Sequence, residues 1–158
     1  MKRWILYVGL LGFAVYWASN LLLWFPWSYS STLGITLMLT LGPILWAYAT
    51  FLALKTYPKT NLINGALIIS LIFLLGAIIM DYIFFGLIRK AMEQLYHPTT
   101  FYGYGFLIIL PFILILIFKN KILRLKRTVI KSDIIEAVVG GIACFGILTL
   151  IIILGIEI

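Results

Sequence analysis

The feature that most constrains this chain is an uninterrupted run from Trp4 to Leu54 that contains no Asp, Glu, Lys, Arg or His. About 20 apolar residues cross the hydrocarbon core of a bilayer as one helix, so the run has room for two crossings. Hydrophobic residues make up 64% of the 158 residues and charged residues only 11%. A soluble domain has about 25% charged residues. The sequence therefore predicts an all-α protein, a polytopic transmembrane helical bundle that forms one integral membrane domain.

Breaks in the apolar sequence divide the chain into five predicted spans, at about 4–25, 32–54, 62–88, 101–118 and 134–158. Pro26 is expected to end the first span, because proline interrupts the hydrogen-bond ladder of a helix. Asn61 is placed to cap the third span, and Asp133 with Glu136 has the spacing of a capping box before the fifth. If the fifth run does not cross, four spans remain, but its uncharged stretch Ala137–Ile156 favours crossing.

The basic residues predict an orientation. With the N-terminus in the cytoplasm, ten Lys and Arg residues fall on the cytoplasmic side and only Arg89 and Lys90 on the outer side. Cytoplasmic loops carry an excess of Lys and Arg. We therefore predict a multi-pass protein of a bacterial inner membrane, with the N-terminus inside and the C-terminus outside. The net charge of +7 lies at the ends of spans, which indicates interfacial anchors and not a nucleic-acid-binding face.

Six of the positive charges lie in the segment 119–131, among apolar residues of loosely helical spacing. We interpret it as a short amphipathic segment at the cytoplasmic surface of the membrane, with an exposed charged loop as the alternative. Four of its side chains are expected to bind anionic lipid head groups: Lys121, Arg124, Lys126 and Arg127.

Asp81 is the only acidic residue with long apolar sequence on both sides. An ionised carboxylate in the bilayer centre costs about 2.5–3.5 kcal/mol, so such a residue is a site hypothesis by default. The helical distance from Asn61 to Asp81 is about 30 Å, which places Asp81 near the outer boundary. Two interpretations stay open: a residue in an outward-facing cavity, or an interfacial residue with a local partner.

The first functional hypothesis is a protein that binds or helps to transport a small or lipid-like ligand through an outer-leaflet cavity. Asp81 would be the charged anchor, Arg89 would face an anionic head group, and aromatic rings would pack the ligand. The predicted ligand-binding residues are Asn20, Trp24, Asp81, Tyr82, Arg89 and Tyr102.

The second hypothesis is a non-catalytic membrane subunit. Transmembrane helices associate through small residues spaced four apart, and the fifth span has such a set. This set is expected to meet another helix, either within the chain, in a homo-oligomer or in a partner membrane protein: Ala137, Gly140, Gly141 and Cys144.

The third hypothesis, an intramembrane enzyme, uses Asp81, Glu93 and His97. Glu93 and His97 are four residues apart and share a helical face. Two ligands do not make a metal site, and the motifs GxSxG, HExxH and CxxC are absent from the sequence. We therefore expect no metal, cofactor or catalytic residue, and we favour a protein that is not an enzyme.

Gly103-Tyr104-Gly105, with two threonines shortly before it, resembles the selectivity-filter signature of potassium channels. The family has one residue between threonine and Gly-Tyr-Gly, whereas Phe101 and Tyr102 intervene here. The apolar residues 106–118 that follow reach only about 20 Å as a helix, too short for an inner pore helix. We therefore interpret Gly103-Tyr104-Gly105 as an interfacial aromatic turn.

Overall fold

A computed structural model of the protein describes residues 1–156, with the side chains of Trp24 and Gln94 excepted. Over this range the secondary structure is helical, without strands. Five helices are long and apolar enough to cross a membrane: α1 Lys2–Tyr29, α2 Ser31–Lys55, α3 Leu62–Ile88, α4 Pro98–Arg124 and α5 Lys131–Ile153. A short 3₁₀ helix, Met92–Tyr96, precedes α4. The predicted all-α bundle with five spans is confirmed, rather than the four-span alternative, and the protein is membrane-embedded.

Helix α1 is the centre of the bundle and packs against α2, α3 and α5. Helix α4 packs against α2 and α3, so α1 to α4 form a four-helix ring with α5 on the outside of α1. Short connections make successive helices antiparallel. One end, called here the basic end, holds the N-terminus and the connections 56–61 and 125–130. The opposite end, the distal end, holds the connections at Ser30 and 89–97.

Helix α1 continues past Pro26, so the prediction that this proline ends the first span is wrong. The helix changes to π geometry over Asn20–Trp24 and returns to α geometry over Phe25–Tyr29. The N–H of Phe25 donates to the carbonyl of Asn20. In a regular α-helix the proline ring clashes with the carbonyl four residues earlier. The wider π turn directly before Pro26 relieves that clash.

Helix α3 begins as predicted, because Asn61 Oδ1 accepts hydrogen bonds from the N–H groups of Ile63 and Asn64. It has α geometry to Asp81 and π geometry over Tyr82–Ile88. The π segments of α1 and α3 therefore both lie at the distal end. Single π turns are rare and frequently lie at functional sites.

Helix α4 begins at Pro98, after His97, whose Nδ1 accepts the N–H of Thr99. Gly103-Tyr104-Gly105 is helical, so the predicted aromatic turn is wrong. The cap at His97 starts the helix early enough to place these residues in its second turn. Phe118, the predicted end of the span, has φ −118° and ψ 15°, which kinks the helix before it continues to Arg124.

Packed side chains close the bundle at the basic end. Trp4 Nε1 donates to the carbonyl of Ala53 at 3.0 Å, and the rings of Trp4 and Tyr57 are 4.8 Å apart. Ile122 and Val129 are buried in the same cluster. Trp4 and Tyr57 are only 2% and 1% exposed, so this end of the bundle has a dense core.

Helix α5 ends at Ile153, short of the predicted end of the fifth span. Residues 157 and 158, which that prediction included, lie outside the described residues. Asp133 serves the start of α5 differently from the predicted pairing with Glu136: its Oδ2 accepts the N–H of Ile130 at 2.9 Å. Most of α5 faces away from the protein, with Val139 and Ile142 60% and 59% exposed, as expected for a helix with a lipid-facing side.

Candidate functional site: a carboxylate in a cavity at the distal end

The carboxylate of Asp81 joins three helices at the distal end. Tyr16 of α1 donates its Oη–H to Asp81 Oδ1 at 2.5 Å, and Tyr104 of α4 donates to Oδ2 at 2.7 Å. Asp81 is 8% exposed. Hydrogen bonds to charged groups contribute about 1.5–3 kcal/mol each. The two tyrosines therefore compensate part of the cost of burying a carboxylate within a membrane protein.

The antiparallel topology explains why these residues meet. Helices α1 and α3 run toward the distal end and pass the level of Asp81 at residues 16–23 and 77–85. Helices α2 and α4 start at that end and pass the same level at residues 38–46 and 99–107. Residues far apart in sequence thus form one layer of the bundle.

A cavity of about 490 Å³ lies in this layer, between α1, α2, α3 and α4. Its wall is mainly apolar and aromatic and includes Leu23, Met38, Pro43, Trp46, Phe85 and Phe106. Its polar side chains are Tyr16, Ser19, Asn20, Asp81, Thr99, Thr100, Tyr102 and Tyr104. Among the described residues that line it, Asp81 is the one charged group. Apolar walls with few convergent polar groups are typical of small-molecule sites.

The cavity reaches the lipid-facing surface between α2 and α4. Leu39 of α2 and Tyr102 of α4 both line it, yet they are 68% and 75% exposed. Leu39 lies about 12 Å along α2 from Ser31, which is within the depth of one leaflet's hydrocarbon. The cavity wall therefore includes side chains that are exposed on the outside of the bundle.

Aromatic rings close the cavity toward the basic end. The ring of Trp46 lines the cavity and lies 5.4 Å from the ring of Phe73, edge to face. Phe73 is 1% exposed, and a Cβ on Gly12 would be 3.0 Å from its ring. Glycine at position 12 lets α1 approach α3 closely around this ring. Together with the core at the basic end, this floor leaves a cavity that is open at one end of the bundle.

Ser19 supplies an unsatisfied polar atom in the cavity wall. Its side chain is buried, with the residue 7% exposed, and its Oγ has no hydrogen-bond partner among the described residues. A serine within a membrane helix ordinarily bonds the carbonyl four residues earlier. A buried hydroxyl without a partner costs about 1–3 kcal/mol. Ser19 Oγ itself is buried beneath the cavity surface, so its missing hydrogen bond is a cost of this packing and not a contact point for a ligand.

The structure brings three of the six predicted ligand-binding residues to this cavity: Asn20, Asp81 and Tyr102. Asn20 Nδ2 donates to the carbonyl of Tyr16 at 3.0 Å, within its own helix. Tyr82 and Arg89 are not in the cavity wall, and the side chain of Tyr82 is 56% exposed. The side chain of Trp24 lies outside the described residues.

Sequence reasoning missed the residues that hold the carboxylate. Tyr16 lies one helical turn before Asn20, on the same face of α1, so its position was available from the periodicity. Tyr104 was set aside because the glycines on both sides indicated a turn. Ser19 gave no signal, because serine in a membrane helix usually bonds its own backbone.

Glu93 and His97, the other residues of the enzyme hypothesis, are both exposed and do not line the cavity. Glu93 lies in the 3₁₀ helix, and His97 caps α4. Among the described residues there is no group of three or more potential metal ligands.

Three of the four predicted lipid-binding side chains make contacts within the protein. Arg127 donates both guanidinium arms to Asp133 at 2.6 and 2.7 Å, and these hydrogen bonds raise the pKa of Arg127 above its usual value. Lys126 Nζ donates to the carbonyl of Lys59 at 2.6 Å. Lys121 and Arg124 are exposed on the last turn of α4, and Lys121 Nζ lies 6.0 Å from the ring centroids of Phe51 and Phe118.

The small-residue set of α5 has two sides. Ala137 is 6% exposed, and a Cβ on Gly141 would be 2.5 Å from the Phe13 ring and 3.2 Å from the Cα of Ala14. These positions pack against α1 within the chain. A Cβ on Gly140 would meet no atom within 4 Å. Cys144 is half-buried beside the distal core.

Comparison with known proteins gave no relative: no protein family, no curated protein and no solved structure matches this chain.

Proposed function

We propose that this protein binds a small or lipid-like ligand in the distal cavity and either holds it or helps to move it. The observation that carries this proposal is the position of Asp81: a buried carboxylate in the wall of a cavity of about 490 Å³ that reaches the lipid-facing surface. Burial of an ionisable group in a membrane helix is costly, and such residues usually serve a site.

A purely structural carboxylate would favour a different arrangement. The same two tyrosine hydrogen bonds would hold three helices together equally well in a closed bundle. An open cavity forfeits the dispersion contacts that close packing would provide on its walls. An occupant that fills the space would recover these contacts.

The distribution of basic residues supports placing this cavity in the outer leaflet of a bacterial inner membrane. The basic end carries most of the Lys and Arg residues, and the positive-inside rule puts that end in the cytoplasm. The distal end, with Asp81, then faces outward. The ligand would enter from the outer leaflet, between α2 and α4.

The closed basic end favours binding over free passage. Trp4, Tyr57 and Phe73 are each 2% exposed or less, so a ligand in the cavity has no continuous path through the bundle. If the protein takes part in transport, a step that opens this core is required, as in alternating access. Binding at the distal end is common to both roles.

Two glycines on α4 allow a matched test. A Cβ at Gly103, in the cavity wall, or at Gly105, outside it, would meet no atom within 4 Å. Gly103→Trp therefore fills the cavity mouth, whereas Gly105→Trp adds the same bulk to the same helix elsewhere. Native mass spectrometry of protein extracted in a mild nonionic detergent measures the molecules that stay bound.

We expect the wild-type protein and Gly105→Trp to retain a bound molecule that Gly103→Trp has lost. Circular dichroism and size-exclusion chromatography of all three proteins check that each is folded. The proposal would be refuted if the two folded variants retained the bound molecule equally, or if the wild-type protein carried no bound molecule.

A further inference from the structure

We infer that the ligand of the distal cavity is an organic cation with an apolar body, such as an ammonium group on a hydrocarbon or aromatic frame, held by Asp81. This inference rests on the proposed function above and adds the chemical class of the ligand.

The first reason is the sign of the charge in the cavity. Asp81 is the only charged side chain among the described residues that line it, and neither Arg89 nor Lys90 is part of the wall. An anionic ligand would place two negative charges together in a medium of low dielectric constant. A cationic ligand would pair with the buried carboxylate, the arrangement in which buried charges are usually found.

The second reason is the acceptor capacity that remains at the site. A carboxylate has about four lone-pair sites, and Tyr16 and Tyr104 use one on each oxygen. The remaining lone-pair sites of the Asp81 carboxylate can thus accept N–H groups or lie beside a quaternary centre.

The third reason is the composition of the rest of the wall. Six aromatic rings line the cavity beside the carboxylate: Tyr16, Trp46, Phe85, Tyr102, Tyr104 and Phe106. Aromatic faces attract organic cations through the negative potential of the ring face. Leu23, Met38 and Leu39 provide an apolar surface for the body of the ligand. The opening beside Leu39 admits a molecule that is dissolved in the lipid.

The cavity thus suits two sources of the same chemistry, a free lipophilic cation and a lipid with an ammonium head group. Both have a positive centre on an apolar body. They differ in whether the compound partitions freely or is already part of the leaflet, and competition separates them.

Tetraphenylphosphonium and tetraphenylborate test the inference, because they match in size and shape and differ in the sign of the charge. Equilibrium dialysis in a nonionic maltoside detergent measures binding to wild-type protein, with empty micelles as the blank. Asp81→Asn removes the charge and keeps the shape of the side chain. Glu93→Gln removes an exposed carboxylate outside the cavity and serves as the control.

We expect saturable binding of tetraphenylphosphonium that weakens at least tenfold in Asp81→Asn and is unchanged in Glu93→Gln. Tetraphenylborate should bind the wild-type protein no better than empty micelles. Displacement by short-chain phosphatidylethanolamine, and not by phosphatidylglycerol, would identify the lipid head group as the source; no displacement by either would identify a free cation.

The outcome separates this inference from the proposed function. If Gly103→Trp strips a bound molecule while tetraphenylphosphonium binds Asp81→Asn as well as wild type, the cavity binds a ligand but the cation class is wrong. If tetraphenylborate binds as tightly as tetraphenylphosphonium, the class is also wrong. If no molecule depends on the Gly103 site, the proposed function itself fails.

Discussion

The packing of α5 on α1 is tested by two adjacent glycines, Gly140 and Gly141. A Cβ at Gly141 would be 2.5 and 2.7 Å from two ring atoms of Phe13 and 3.2 Å from the Cα of Ala14. Carbon atoms pack at about 3.5–4.0 Å, so even alanine at this position displaces the ring or separates the helices. A Cβ at Gly140 would meet nothing within 4 Å.

The magnitude follows from the difference between the two sites. Each Gly→Ala change adds the same helix propensity, about 1 kcal/mol in water, so this contribution cancels when the variants are compared. What remains is the overpacking at Gly141, which costs about 1–3 kcal/mol in a packed core. The displaced Phe13 ring lies 6.3 Å from the ring of Trp17, centroid to centroid, so the strain passes into the distal core. Gly141→Ala should thus be less stable than Gly140→Ala by about 1–3 kcal/mol.

Equilibrium unfolding in mixed micelles with increasing sodium dodecyl sulfate, followed by tryptophan fluorescence, measures this difference. Size-exclusion chromatography with light scattering reports the oligomeric state of each variant. We expect Gly141→Ala to unfold at lower dodecyl sulfate with an unchanged oligomeric state. A Gly140→Ala variant that is equally or more destabilised, or that alone changes the oligomeric state, would show that the outward side of α5 makes the important contact.

The remaining predictions concern Tyr104 on α4 and the ion pair of Arg127 with Asp133 at the basic end. Tyr104→Phe removes one of the two donors to Asp81 and should lower the free energy of unfolding by about 1.5–3 kcal/mol. Its control, Tyr102→Phe, changes a 75% exposed residue and should have little effect. Equal effects of the two variants in the same unfolding assay would contradict the hydrogen bond from Tyr104 to Asp81. Arg127→Lys cannot make the bidentate contact with Asp133. Because the guanidinium is partly exposed, the free energy of unfolding should fall by about 1 kcal/mol or less. Arg124→Lys, on the exposed last turn of α4, is its control. An equal decrease in the free energy of unfolding there would mean that the Arg127–Asp133 ion pair contributes nothing specific.

Most of the fold could be predicted from the runs of apolar residues and from the breaks between them. The uncharged stretch Trp4–Leu54 is long enough for two helices, and the structure has α1 and α2 there. Asn61 caps α3 through its own side chain, a local interaction that the sequence displays directly. Such features depend on neighbours within a few residues, which is why single-sequence reasoning reached them.

The wrong predictions of helix ends and turns came from proline and glycine residues within membrane helices. Pro26 did not end α1, because a π turn before it accommodates the ring. Gly103 and Gly105 did not make a turn, because the cap at His97 had already started α4. In water, exposed backbone at glycine can bond solvent, but within a membrane a helix satisfies its own backbone groups, and this favours continuing the helix.

The sequence predicted the carboxylate of the candidate site, Asp81, but not the tyrosines that donate hydrogen bonds to it. Asp81 stands out because an acid inside an apolar run needs compensation. Tyr16 lies 65 residues away and Tyr104 lies 23 residues away, and the choice of these tyrosines depends on the rotation of α1 and α4 about their axes. That rotation is set by packing across the bundle, for example by the approach of Gly12 to Phe73.

The most direct test of a ligand-accessible carboxylate is labelling with dicyclohexylcarbodiimide, a hydrophobic reagent that modifies carboxyl groups within membranes, followed by peptide mass spectrometry. We expect modification at Asp81 in the wild-type protein and in Gly105→Trp, its loss in Gly103→Trp, and protection by tetraphenylphosphonium. An unmodified Asp81, or one modified equally in both glycine variants and in the presence of the cation, would contradict a binding cavity at this residue.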